Sequence, residues 1–144
     1  MRGVAIVEFA IAVPVLLLLI TATVELGRAF IQYTVLANGV RDASRHLAGR
    51  ALLGTTGIVS ITGQLQADVA NLVVYGNTAG TGAPVLPSLA PGQVSVTSTA
   101  ANDVTVSVVY PYQALLGSRL PAFGASAEPS MVFNMQVAVT MRAL

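Results

Sequence analysis

The chain has 144 residues and a net charge of +1, and only 9% of its residues are charged, against about 25% in ordinary soluble domains. All seven basic residues are arginine and there is no cysteine. This excludes a disulfide framework, a thiolate metal site and a cysteine nucleophile, and it offers no basic patch for nucleic acid. The length suits one small domain plus a membrane helix.

The first element is apolar. From Val4 to Val24 the only charge is Glu8, and Phe9 to Ile20 contains no hydrogen-bonding side chain. As a helix, about 20 such residues span about 30 Å, the hydrocarbon thickness of a bilayer. The run is longer than the apolar part of a secretory signal, and no small-x-small cleavage site follows it, so it reads as a retained anchor. Glu8 is the odd residue. A carboxylate in such a segment costs on the order of 3 kcal/mol at mid-bilayer and less near the interface. Either headgroups and the helix dipole hold it, or it has a partner.

The helix continues past the membrane face. Glu25 and Arg28 are three apart and can pair on its surface. Leu26, Phe30, Tyr33, Leu36, Val40 and Leu47 form an apolar stripe, with Arg41, Asp42 and Arg45 off it. One helix is expected from Val4 to Leu53, ended by the Gly54–Gly57 cluster. Pro14 removes the bond to the Ala10 carbonyl and so loosens or kinks the helix, and Gly27 suits close packing against a neighbouring helix. A second helix is expected from Ile61 to Tyr75, capped by Ser60, followed by a loop from Thr78 to Gly92 rich in Gly and Pro.

The period then changes to two. Val94 and Val96, then Val104, Val106 and Val108, alternate with Ser and Thr around a turn at Ala100–Asp103, and Pro111 ends the second strand. A third strand runs from Met131 to Met141, with Phe133, Met135, Val137, Val139 and Met141 on one face. The fold class is therefore α+β: a long N-terminal helix packed on a small three-stranded antiparallel sheet, with a second, shorter helix.

Residues that carry chemistry are few. His46 is the only histidine and has no partner at a metal-ligand or acid–base spacing. Asp103 suits its turn, and Tyr110 and Tyr112 read as one core tyrosine and one turn tyrosine. No enzyme, metal or cofactor is expected.

The segment Gly3-Val4-Ala5-Ile6-Val7-Glu8-Phe9 with its apolar helix resembles the processing motif of type IV pilin-like proteins. Residues Arg2 to about Arg50, with Pro14, Glu25, Gly27 and Arg28 in register, resemble the TadE family of tight-adherence (Tad/Flp) pilus systems. The resemblance implies a pilin-like minor pilin or pseudopilin. Residues 1–3 are a leader, cut by a prepilin peptidase between Gly3 and Val4. Residues 4–53 form the long helix, with 4–24 in the membrane, and residues 54–144 form the head. It also implies that Glu8, beside Phe9, meets the N-terminal amine of a neighbouring subunit. Other minor pseudopilins, a major Flp-type pilin, an inner-membrane pilus platform and the lipid bilayer are the implied partners. Arg28, Arg41, Arg45 and Arg50 follow the apolar run while only Arg2 precedes it, so counting flanking charge places the head in the cytoplasm. The resemblance implies the reverse, with the N-terminus cytoplasmic and the head outside the bacterial inner membrane. That orientation is adopted, because Arg41 to Arg50 lie well beyond the run and Glu25 and Asp42 can pair locally. The competing reading is a permanently anchored envelope binding module, uncleaved and with no role for Glu8.

Overall fold

The computed structural model describes residues 2–52, 58–99, 102–115, 117 and 132–143. Helix α1 (Arg2–Ala48) is followed by α2 (Gly63–Tyr75), a 3-10 turn at Pro91–Gln93, and strands β1 (Val94–Ser98), β2 (Asp103–Pro111) and β3 (Asn134–Arg142). The strands form one antiparallel sheet in the order β1-β2-β3. This is the expected α+β plan.

Helix α1 runs through Pro14 without a break. It stops at Ala48, five residues before the expected end at Leu53. Gly49 and Arg50 close the last turn with bonds to the Arg45 and Leu47 carbonyls, both 3.1 Å. The chain then doubles back: Leu52 bridges Val59, and the Ser60 N–H donates to the Ala51 carbonyl at 2.7 Å. Reversal against 59–60 follows the helix here; Leu53 and the whole Gly54–Gly57 cluster lie outside the described residues. Helix α2 is capped by Thr62, not Ser60: the Thr62 hydroxyl accepts from the Leu65 N–H at 3.2 Å. It ends at Gly76, whose left-handed conformation (φ 71°) lets its N–H reach the Leu72 carbonyl, a geometry that favours glycine.

The core lies between α1, α2 and one face of the sheet. Leu36, Val40, Ala43 and Leu47 of α1 are buried with Leu65, Val69 and Val73 of α2 and Val104, Val106 and Val108 of β2. Gly39 lies where the two helices meet, and a Cβ there would stand in ordinary contact, 3.5 Å from the Val73 carbonyl oxygen. The 78–92 connection also contributes to the core, because Leu86 and Leu89 are buried.

Alternation in the strands falls as read from the sequence, and both Tyr110 and Tyr112 are buried. Pro111 ends β2, as expected: it is the last residue of the strand, paired with Asn134. Its missing N–H costs no ladder bond, because β1 already ended opposite Val108 at Val94 and the Tyr112 N–H supplies the next bond to the Phe133 carbonyl at 2.9 Å. Asp103 belongs to β2, not to the turn. Strand β3 begins at Asn134, so Phe133 lies just outside it, and Met131 lies outside the described residues.

Candidate functional site

The first half of α1 is exposed along its length. Val4, Ile6, Val7, Phe9, Ile11, Val15, Leu16, Leu17, Leu19 and Ile20 are all at least half exposed. The most apolar 18-residue window has a mean hydropathy of 2.7, and none of it is buried inside the protein. An apolar surface of this size calls for cover from water, and the helix is long and apolar enough to cross a bilayer. The hydroxyls along it are turned inward: Thr21 donates to the Leu18 carbonyl at 2.9 Å and Thr23 to the Leu19 carbonyl at 2.8 Å. This is the geometry that conceals a hydroxyl from an apolar medium.

Glu8 stands on this surface, exposed, with no ion pair or hydrogen bond among the described residues. It borders shallow apolar hollows lined by Val4, Val7 and Ile11 on one side and by Ala12, Val15 and Leu16 on the other. Gly3, Val4 and Phe9 lie beside it, all exposed. Gly27 is exposed too, and a Cβ there would meet nothing within 4 Å. Among the described residues, none supplies the close packing expected at Gly27.

The expected apolar stripe is displaced over its first part. Leu36, Val40 and Leu47 are buried as anticipated, but Leu26 is 60% exposed, Phe30 63% and Tyr33 47%. The buried line instead continues through Gln32 to Glu25, which are 9% and 3% exposed, with the part-buried Arg28 between them. Positions 25, 28, 32 and 36 are spaced three or four apart, so they share one helix face with the core. Between residues 25 and 33, polar groups face the head and apolar groups face outward. Leu26, Ala29, Phe30 and Tyr33, with Phe133 just before β3 and Met135 in it, line an open apolar groove of about 300 Å³.

Glu25 and Arg28 do form an ion pair, with Arg28 Nη1 3.7 Å from Glu25 Oε2. It is not the surface pair expected from their spacing, because Glu25 is buried under the head. The Tyr112 hydroxyl donates to Glu25 Oε2 and also lies 3.2 Å from the Glu25 carbonyl oxygen. The Leu115 N–H donates to Oε1 at 2.6 Å. Tyr112 stacks on Phe133, with ring centroids 4.9 Å apart and 25° between planes. Burial, reinforced by the hydrogen bond to Glu25 and its negative charge, pushes the Tyr112 hydroxyl up to about 12, with Arg28 pulling the other way. Burial also raises Tyr110, again opposed by Arg28, and the Tyr110 hydroxyl donates to the Pro87 carbonyl at 2.9 Å. Arg28 Nη1 and Gln32 Oε1 are buried without a hydrogen-bond partner.

His46, near the end of α1, is half-buried with its Nε2 unpartnered. Among the described residues, no cluster of three or more His, Asp or Glu could hold a metal. The Tyr112–Glu25 contact was not read from the sequence, although position 25 lies eleven residues, about three turns, before Leu36 and so shares its face.

The fold and this helix define a pilin-like, single-pass membrane-anchored protein: a long apolar N-terminal helix whose outer half carries a small α+β head. Residues 3–45 match the family model described as TadE-like protein, a similarity that covers the stretch carrying the sequence motif. The match covers Glu8, Pro14, Glu25, Gly27 and Arg28 and ends before the sheet. No curated protein matches the chain, and no solved structure does.

Proposed function

We propose that this chain is a minor pilin or pseudopilin of a tight-adherence pilus, whose work is assembly. A prepilin peptidase cuts between Gly3 and Val4. The chain waits as a single-pass protein of the inner membrane, its N-terminus cytoplasmic and its head outside, and its helix then joins those of other pseudopilins and of a major Flp-type pilin at the pilus platform. The family match over residues 3–45 supports this reading, because it spans both the cut and the glutamate.

The observation that carries the proposal is Glu8, an exposed carboxylate with no partner among the described residues, set on an apolar helix surface. In lipid it is tolerated only near the interface. In a dry bundle of helices it requires a cation, and the new amine on Val4 of a neighbour supplies one. Because a buried charge left unpaired costs several kcal/mol, on the order of 3–5 when one partner is removed, wrong axial registers are penalised.

The length of the exposed apolar surface gives further support. From Val4 to Tyr33 it measures about 45 Å as a helix, against about 30 Å of hydrocarbon. Tilt alone would have to reach about 48°, beyond the usual 0–40° range. Neighbouring helices cover the excess in the assembled state. A plain anchor needs neither the extra length nor Glu8.

The test is Glu8→Ala in cells that assemble the pilus. The variant is expected to insert in the membrane and to be cut normally, yet to be lost from the assembled fraction. Incorporation at the wild-type level contradicts the mechanism.

A further inference from the structure

The head is joined to α1 by two unlike seams. At the far end, Leu36, Val40, Ala43 and Leu47 meet an apolar layer from α2 and the sheet. At the membrane-proximal end the facing side chains of α1 are mainly Glu25, Arg28 and Gln32, with only the small Ala29 packed on the core. The sheet also runs out here, since β2 ends at Pro111 and β3 begins at Asn134. Something else must hold the chain from Tyr112 to Leu115 against the helix.

We propose that Glu25 is a clamp: its buried carboxylate fastens the membrane-proximal end of the head to α1, and this end opens separately from the apolar core when the clamp is lost. The geometry is a chain of contacts across three elements. The carboxylate of α1 accepts from the Tyr112 hydroxyl and from the Leu115 N–H. Tyr112 lies one residue beyond β2. It holds Phe133, one residue before β3, by ring stacking and by its N–H bond to the Phe133 carbonyl. Phe133 is in turn a wall of the apolar groove beside Leu26, Phe30 and Tyr33. The clamp therefore sets the position of that wall.

The rest of the seam adds little hold. Arg28 sits 3.7 Å from the carboxylate and balances its charge, but Arg28 Nη1 and Gln32 Oε1 make no hydrogen bonds there. Among the described residues the charged groups and hydroxyls around the carboxylate include Arg28, Tyr110 and Tyr112, and of these Tyr112 donates to it. Local opening is expected where hydrogen bonds, not apolar burial, hold a segment. The inference is independent of the assembly reading, since it concerns how one chain holds itself together.

The experiment is amide hydrogen exchange on the full chain in detergent or nanodiscs, comparing the wild type with Tyr112→Phe and Glu25→Gln. Tyr112→Phe removes one hydroxyl and keeps the ring that stacks on Phe133, so it tests the clamp with the least risk to folding. Both variants are expected to exchange at least about tenfold faster at residues 113–115, while residues 104–108 and 137–141 keep wild-type protection. The double variant is expected to add little to either single one, because both break the same contact. Ultraviolet titration supplies a readout that a merely space-filling role would not move: the latest-ionising tyrosine of the wild type is expected to ionise at lower pH in Glu25→Gln. Unchanged exchange at residues 113–115 overturns the clamp, and so does an equal rise across the whole sheet.

Discussion

Residues 25–33 and 36–51 of the chain invite comparison, because they lie on the same head-facing side of the chain and are built in opposite ways. In the second stretch the inward residues are apolar (Leu36, Val40, Ala43, Leu47, Ala51) and the outward ones include Arg41, Asp42, Arg45 and Arg50. In the first, Glu25 and Gln32 are buried while Leu26, Phe30 and Ile31 are largely exposed. A surface with charges outside and apolar groups inside suits water; the inverted one suits an apolar surrounding. The pattern of the helix thus inverts several residues beyond the end of the uncharged run, and the head packs against both parts.

The comparison can be broken first in the distal core. Leu47 is fully buried, so Leu47→Ala is expected to lower the stability of the head by about 2–5 kcal/mol, measured by thermal or denaturant unfolding. All elements of the head should lose structure together. Glu25→Ala, at the other end, removes the carboxylate that accepts from the Tyr112 hydroxyl and the Leu115 N–H, leaving the hydroxyl only the Glu25 carbonyl oxygen at 3.2 Å. The expected loss is smaller, about 1–3 kcal/mol, and confined to the membrane-proximal end. If Glu25→Ala destabilises the head as much as Leu47→Ala and unfolds it as a unit, the distinction between the two seams is lost.

Alkaline pH sharpens the same contrast. The folded chain holds the Tyr112 proton more tightly than an unfolded one, because Tyr112 is pushed up to about 12 from the ordinary value of about 10. The stability this contributes is complete below about pH 10 and is lost as pH rises through 12. Tyr112→Phe should flatten that part of the stability profile, and an unchanged profile contradicts the assignment. The smallest effect on stability is expected on the outward face. Phe30→Ser and Leu26→Ser should change the unfolding free energy of the head by no more than about 0.5 kcal/mol, yet lower recovery of the subunit in the assembled fraction. Equal recovery of variant and wild type argues that nothing packs on this face.

The long helix, the second helix and the alternation of Val104, Val106 and Val108 were legible in the sequence because each rests on a local period. The buried line of α1 was legible only over 36–47. Over 26–33 the apolar residues also recur at helical spacing, but they mark contact with the surroundings rather than with the head, and periodicity cannot tell these apart. Glu25 and Arg28 were recognised as a pair from their spacing. That the pair is buried depends on Tyr112, 87 residues away in sequence, and no local pattern specifies such a contact. The end of α1 at Ala48 was missed for a related reason, since it goes with the return pairing of Leu52 with Val59, which no helical period signals.

The most direct test of the assembly account is the intact mass of the protein recovered from membranes of cells with and without the cognate prepilin peptidase. The account predicts a chain that starts at Val4 only when the peptidase is present. A chain that keeps Met1 to Gly3 beside an active peptidase contradicts it, and would leave the apolar helix as a permanent anchor.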